Sequence, residues 1–291
     1  PCIYAVGDAV QVREFVSGTD AVISLAGPAN RQGRIAADNI CGIPSEYKGS
    51  QGSSVIQVFD MTVATTGLNE KTSKAAGIDY DKVYTYSASH ATYYPGARNM
   101  SVKTLFEKGT GRILGAQIVG YEGADKRIDV IATVIRSGGD YRLLEELDLA
   151  YAPPYSSAKD PVNMAGFVID NVVSGRVSQF FWNDVAALAA DGSNVFVDVR
   201  TPEEFSRGHI EGSVNIPVDC MRERMSEIPR DRHVCLICHS ALRSYIAARM
   251  LMQNGYDCSH LAGGYRLYSS VVGDIQVGSP DGPPCGQSRR S

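Results

Sequence analysis

Apolar residues recur three and four apart in DKRIDVIATVIRSGG (residues 125–139). There Ile128, Ile131, Val134 and Ile135 share one face, so the run predicts a helix lying on a sheet. Around it SSVIQVF, KVYTYSA, SVKTLFE and ILGAQIVG are β-rich, EKGTGRIL reads as a hairpin turn with glycines, and DPVNMAGFVIDNVVSG predicts a second helix. Residues 51–174 therefore predict an α+β domain. Residues 1–50 give a strand, IYAVG, and a helix, PANRQGRIAADNI, closed by Gly42 and Pro44, a piece too short to be a domain alone. From 175 to 272 the texture changes. NVFVDV, HVCLI and CSHLAGG read as strands and SVNIP as an extended run, and between them PEEFSRG, MRERMSEI and LRSYIAARMLMQNG read as helices. Strand and helix in alternation predict an α/β domain with a parallel sheet and crossover helices. Residues 273–291 form a tail containing GSPDGPPCGQSRRS, Gly/Pro/Ser-rich and expected to be disordered, and there is no internal repeat.

The 291 residues, 44% hydrophobic and 21% charged, suffice for two domains with real cores. A net charge of −4 without a Lys/Arg block argues against nucleic acid as a partner. No run has the length of a membrane span and no leader pattern follows Pro1, so a soluble protein without a membrane partner is expected. Seven scattered cysteines fit a reducing compartment better than a disulfide framework, which makes the cytoplasm the default expectation. The strand pattern begins directly at Pro1, which resembles a cut end and suggests the C-terminal part of something longer.

The sharpest chemistry lies in CHSALRS, residues 238–244. In an α/β unit the loop from a strand's carboxyl end into a helix is where ligands bind, because the helix start offers unpaired N–H groups and partial positive charge. Cys238 sits at that point with Arg243 close by, and cysteines so placed favour the thiolate. The reading is a nucleophile in an anion-binding nest. Its competitor is a buried cysteine that merely fills space at a strand end. Cys235 and Cys238 also spell C-x-x-C, the spacing of a redox pair or half a zinc site, but Cys235 lies inside the strand pattern without a second ligand pair, so packing accounts for it better and no metal site is expected.

The Cys-x4-Arg loop is one residue shorter than the Cys-x5-Arg loop of cysteine phosphatases and favours a smaller guest, such as the terminal sulfur of a persulfide. DVRTPEEFSRGHIEGSVNIP, then CHSALRS, then HLAGGY resemble a single-domain rhodanese, a sulfurtransferase module, over about 85 residues in the right order. By that resemblance Cys238 carries the persulfide received from a sulfane sulfur donor, the N–H groups of His239, Ser240, Ala241, Leu242 and Arg243 cradle it, and Asp198 and Arg200 brace the fold. Locally, Thr201 as N-cap, Pro202 at the first helical position and Glu204 predict a capping box.

The front half has its own resemblance. IYAVGDAV, LAGPANRQGRIAADNI, ASHATYYPGA, ILGAQIVG and YAPPYSSAKDPVNMAG resemble, in order, the C-terminal half of a flavin-dependent pyridine nucleotide-disulfide oxidoreductase. The branch is that of coenzyme A-disulfide reductase and its NADH oxidase and persulfide reductase relatives, some of which carry a fused rhodanese. The resemblance implies a homodimer using FAD, NAD(P)H and coenzyme A disulfide or persulfide. Gly7 and Asp8 would contact the ribityl chain, and the helix at Pro28 would approach the flavin. Asn30, Tyr93, Tyr151 and Lys159 match substrate-side positions, the last three reaching across the dimer into the partner's site. For a single tyrosine the plain reading is surface or interface packing. YYPG and YAPPY are stiff loops, however, suited to presenting an aromatic ring.

The departures bound the reading. A tightly held dinucleotide needs a glycine-rich turn opening a helix, and GTGRILG joins two strands instead. Cys2 and Cys41 lie in the wrong places to be a flavin-facing redox cysteine. The chain reads as a stub of an FAD domain, a dimerisation domain and a rhodanese domain, so sulfurtransfer is expected here and flavin chemistry only with the missing half supplied. The alternatives are a non-catalytic dimerisation and partner-docking module, which would be expected to have lost its cysteine, and an NADH oxidase relative.

Overall fold

Residues 3–7, expected to be a strand, carry no ladder in the computed structural model, which describes residues 3–273. Ile3 is 87% exposed, and Tyr4 and Val6 are exposed too. A strand must satisfy its N–H and C=O groups through a neighbour, and none of the described residues pairs with this run. The Gly7 N–H donates instead to Gln32 Oε1 at 2.8 Å. Cys2 and the tail beyond Gly273 lie outside the described residues.

The chain divides into two compact units between Asp170 and Asn171, four residues before the boundary expected at 174/175. The first begins with a small hairpin, β1 (Gln11–Arg13) and β2 (Asp20–Val22), and helix α1 (Ala26–Ile40). Strands β3 (Ser54–Val58) and β4 (Met61–Gly67), helix α2 (Glu70–Ala75), and strands β5 (Tyr80–Ala88), β6 (Asn99–Glu107) and β7 (Ile113–Gly120) follow. Helices α3 (Ala124–Arg136) and α4 (Tyr141–Glu146) follow, and α5 (Pro161–Val173) begins in this unit and ends three residues past the division. The five strands β3-β4-β7-β6-β5 pair antiparallel throughout. Helix α3 packs on β4 and β7 through the face the sequence predicts: Ile128, Ile131, Val134 and Ile135 are all buried. Strand β4 and the short helices α2 and α4 were not legible in the apolar pattern. MTVATTG is weakly apolar, and α2 is specified chiefly by its cap, where Asn69 and Thr72 form a reciprocal capping box.

The second unit is a parallel sheet. Its elements are β8 (Gln179–Phe180), α6 (Val185–Ala190), β9 (Asn194–Asp198), α7 (Pro202–Ser206), β10 (Val214–Asn215), α8 (Met221–Arg224), β11 (His233–Ile237), α9 (Leu242–Gln253), β12 (Cys258–Leu261) and α10 (Gly264–Gly273). The strand order is β10-β9-β11-β12-β8, all parallel. MRERMSEI forms α8 followed by a tighter 3₁₀ turn rather than one continuous helix. Both faces of the sheet are buried, as parallel sheets require. Val197, Val234, Leu236 and Cys238 pack on one face with Ala247, Ala248 and Leu251 of α9. Phe196, Cys235, Ile237 and Leu261 pack on the other with Phe180 and Val185. Residues three apart on a strand have opposite parity, so Cys235 and Cys238 belong to different cores and form no dithiol pair. Burial pushes the Cys235 thiol up to about 12.

Candidate active site at the Cys238 loop

Strand β11 delivers Cys238 to the carboxyl edge of the sheet, and a tight turn through His239–Ala241 opens α9. The turn closes on Ala241, whose φ of +75° lies in the left-handed region, an uncommon and strained state for alanine. Among the described residues, the backbone N–H groups of His239, Ser240, Ala241, Leu242 and Arg243 donate to no protein acceptor. Five free donors on one turn form an anion nest. The outward carbonyls are fixed from behind, since the Tyr265 N–H donates to the Cys238 carbonyl (2.7 Å) and the Arg266 N–H to that of His239 (3.0 Å). Gly264 makes this approach possible, because its φ is +65° and a Cβ there would lie 2.5 Å from the His239 oxygen.

Cys238 is 1% exposed. Its Sγ lies 3.3 Å from Ser244 Oγ, which donates to the Ala241 carbonyl at 3.1 Å and sits 3.3 Å from His260 Nδ1. Complete burial pulls the His260 imidazole down to about 4, so it is neutral at pH 7. Burial likewise lowers His239, with the nearby Arg266 adding to the effect. Arg243 does not point its guanidinium freely into the loop. It pairs through both Nη atoms with both carboxylate oxygens of Glu204, at 2.6 and 2.7 Å.

Glu204 thereby serves two elements. Its Oε2 also accepts the Thr201 N–H at 3.0 Å while Thr201 Oγ1 accepts the Glu204 N–H at 3.3 Å, which is the expected capping box of α7. The hydrogen bonds from Arg243 hold its carboxyl down at about 2. The Asp198–Arg200 brace is present and buried: Arg200 Nη2 meets Asp198 Oδ2 at 2.6 Å and the Gly208 carbonyl at 2.8 Å, and its guanidinium stacks 4.2 Å above the Tyr265 ring. Ser244, His260 and the second role of Glu204 escaped sequence reasoning. Ser244 alone carried a signal, as a hydroxyl one residue past the arginine.

In the first unit Tyr93 Oη and Tyr151 Oη meet at 2.8 Å, and that bond raises the Tyr151 phenol above its ordinary value. Both rings face outward, Tyr93 being 76% exposed. Their loops rest on a buried ion pair that the sequence did not reveal. Arg127, 2% exposed, donates to Asp160 (3.0 Å), to Ser156 Oγ (3.0 Å) and to the Ser89 carbonyl (2.9 Å), tying residues 89–98 to residues 151–160. The Ala91 N–H adds a bond to the Ser156 carbonyl at 2.9 Å. Lys159 is exposed on the same loop, and its carbonyl accepts the Ser157 hydroxyl.

Gly7 and Asp8 are tied to the region of α1, Gly7 through Gln32. Ser24 Oγ donates to the Asp8 carbonyl at 3.3 Å just ahead of α1, whose first turn has no side-chain cap. Asp8 is exposed and Pro28 is buried at the edge of an open cleft of about 780 Å³ between α1 and α3. An acidic side chain and an uncapped helix start suit the hydroxylated chain and ring of a flavin. The described residues include no glycine turn for a pyrophosphate, so the fit is to one end of the cofactor. Asn30 is exposed, and its Nδ2 donates back to the Ala26 carbonyl at 2.8 Å. No His/Cys/Asp/Glu cluster among the described residues has the makings of a metal site.

Residues 53–161 match the pyridine nucleotide-disulphide oxidoreductase dimerisation domain and residues 182–270 the rhodanese-like domain. The chain thus carries a dimerisation domain of the pyridine nucleotide-disulphide oxidoreductase type followed by a rhodanese-like domain. It is 36% identical over 168 residues to a coenzyme A disulfide reductase of Staphylococcus epidermidis, covering 57% of this chain and 38% of that one. The solved structure of reduced Bacillus anthracis CoADR-RHD is 48% identical with a TM-score of 0.91, and the match covers 93% of this chain and 49% of that one. A NAD-dependent persulfide reductase from A. fulgidus is 38% identical with a TM-score of 0.81, over 91% of this chain and 48% of the other. The chain spans half or less of the length of each of these relatives.

Proposed function

We propose that Cys238 is the persulfide carrier of a rhodanese-type sulfurtransferase, within the C-terminal part of a flavin-dependent NAD(P)H coenzyme A-disulfide or persulfide reductase. The observation that carries this reading is the turn of five unengaged N–H groups around a nucleophilic residue at the start of α9. In the step, Cys238 Sγ as thiolate attacks the sulfane sulfur of a donor. A new S–S bond forms, the donor's own bond to that sulfur breaks, and the leaving group departs with the electron pair as a thiolate or sulfite. The terminal sulfur left on Cys238 is anionic, and the nest offers it hydrogen bonds in place of water. Ser244 Oγ, 3.3 Å from Sγ, orients the sulfur from behind.

In the first unit Tyr93 and Tyr151 present paired phenols outward, as groups that complete a site on a second copy would, and a homodimer follows from that role. Asp8 and Gly7 would hold the ribityl hydroxyls of FAD and the α1 start would meet its ring system. FAD would pass electrons from NAD(P)H to a disulfide or persulfide when the rest of the reductase is present. A cytoplasmic location agrees with five free cysteines among the described residues. Incubation with a sulfane donor followed by peptide mass spectrometry tests the carrier role. One sulfur should be found on Cys238, and uptake by Cys238→Ser equal to that of the unaltered chain would remove the assignment.

A further inference from the structure

The arginine beside the Cys238 loop is held by an anion from another element. Glu204 holds Arg243 in a two-pronged pair at 2.6 and 2.7 Å. The pair is partly buried, each side chain retaining 30% exposure, so it is screened less than an open surface pair. Glu204 is fixed from a second direction by the Thr201 N–H, so it does not swing away to release the arginine without breaking the cap of α7. Of the other cations near the loop, Arg200 is bound to Asp198, and Arg266, which acts on His239, is present whether or not Glu204 holds Arg243. The N–H donors of the loop are therefore available to a guest, while the guanidinium that would neutralise a second negative charge is already engaged.

Taking sulfur transfer at Cys238 as its basis, we infer that Glu204 sets donor specificity: by occupying Arg243 it disfavours doubly charged donors of the thiosulfate class and leaves the loop to singly charged persulfides. An incoming dianion must approach both the Cys238 thiolate and a Glu204 carboxylate, with the charge of the Arg243 guanidinium already offset. A persulfide monoanion presents one negative sulfur, which the N–H groups of the turn accommodate. Depression of the Glu204 carboxyl to about 2 keeps it ionised throughout the working range. Glu204 is thus a positioning residue, acting on the donor through Arg243.

Glu204→Gln separates this role from the cap, because glutamine retains the amide oxygen a capping box needs while losing the charge. KM for sulfur loading would be measured on the full chain with thiosulfate and with a simple alkyl persulfide. The ratio of the thiosulfate KM to the persulfide KM should fall by about threefold or more in Glu204→Gln, and likewise in Glu204→Ala, as the carboxylate that offsets Arg243 is removed. Thr201→Ala, which loses the cap but leaves the ion pair in place, should keep the original ratio. A ratio that stays within about twofold or rises in both Glu204 variants overturns the inference while sulfur loading itself stands. If the unaltered chain takes up sulfur from neither donor, the carrier role fails and the inference fails with it.

Discussion

Ser244 is the residue whose removal most cleanly probes the nucleophile without deleting it. The Ser244 hydroxyl donates to the Ala241 carbonyl and turns to Sγ when Cys238 is a thiolate. A hydrogen bond to a charged group is worth about 1.5–3 kcal/mol, so Ser244→Ala should make the attacking thiolate scarcer and slow sulfur loading of Cys238 by about tenfold, read as the rate of persulfide formation at fixed donor. A rate equal to the unaltered chain's would mean that the 3.3 Å contact does not act on the reaction. His260 and Glu204 set the acid limb of stability. His260 has a folded value lowered to about 4 from 6.5, so the unfolded chain takes up a proton first as pH falls, and its share of stability is lost between about 6.5 and 4. Glu204 is lowered from 4.5 to about 2, and its share is lost between those values. Urea unfolding of the second unit, followed through the single tryptophan, Trp182, should weaken in both windows. His260→Asn should flatten the upper window alone. A stability constant from pH 7 to 3 would contradict both assignments.

At the scale of elements, the loops that carry function stand on contacts the sequence leaves silent. Gly264→Ala places a methyl 2.5 Å from the His239 carbonyl at a φ of +65°. The strain alone costs about 1–3 kcal/mol, and the shift of the loop should lower sulfur loading further than the stability loss explains. Arg127→Leu leaves Asp160 buried without a partner and should destabilise the first unit by about 3–5 kcal/mol, measured by thermal unfolding. A change under about 1 kcal/mol would mean that the pair is dispensable. The helices α3 and α9, the strands β9, β11 and β12 of the parallel sheet and the capping box of α7 were legible, because each rests on periodicity or on a local rule; the two-residue strand β8 was not. The Arg127–Asp160 pair was not, because its partners lie 33 positions apart and meet only through the folding of α3 against the start of α5. The strand expected at residues 3–7 failed for the converse reason: local propensity was present, and a neighbouring strand among the described residues was not. At Cys238 the sequence singled out the cysteine and the arginine, but Glu204 read only as a cap because its second bond crosses 39 positions.

For the whole molecule, the outward phenols of Tyr93 and Tyr151 and the dimerisation domain lead to an expectation of self-association through the first unit. Light scattering at micromolar concentration should give twice the 31.3 kDa of one chain, and a monomer would remove the basis for a role of these tyrosines in a partner's site. The purified chain should also release added FAD on desalting, since the contacts proposed at Gly7, Asp8 and Pro28 would serve one end of the cofactor only. Stoichiometric retention of flavin would mean that this partial site suffices. The central claim is narrower than either, and concerns one sulfur atom. The full chain, treated with a sulfane donor and analysed by intact mass and then by peptide mass, should gain one sulfur located on Cys238 that is removed by a thiol reductant and absent in Cys238→Ser. Sulfur distributed over the other cysteines, or retained unchanged in Cys238→Ser, would contradict it.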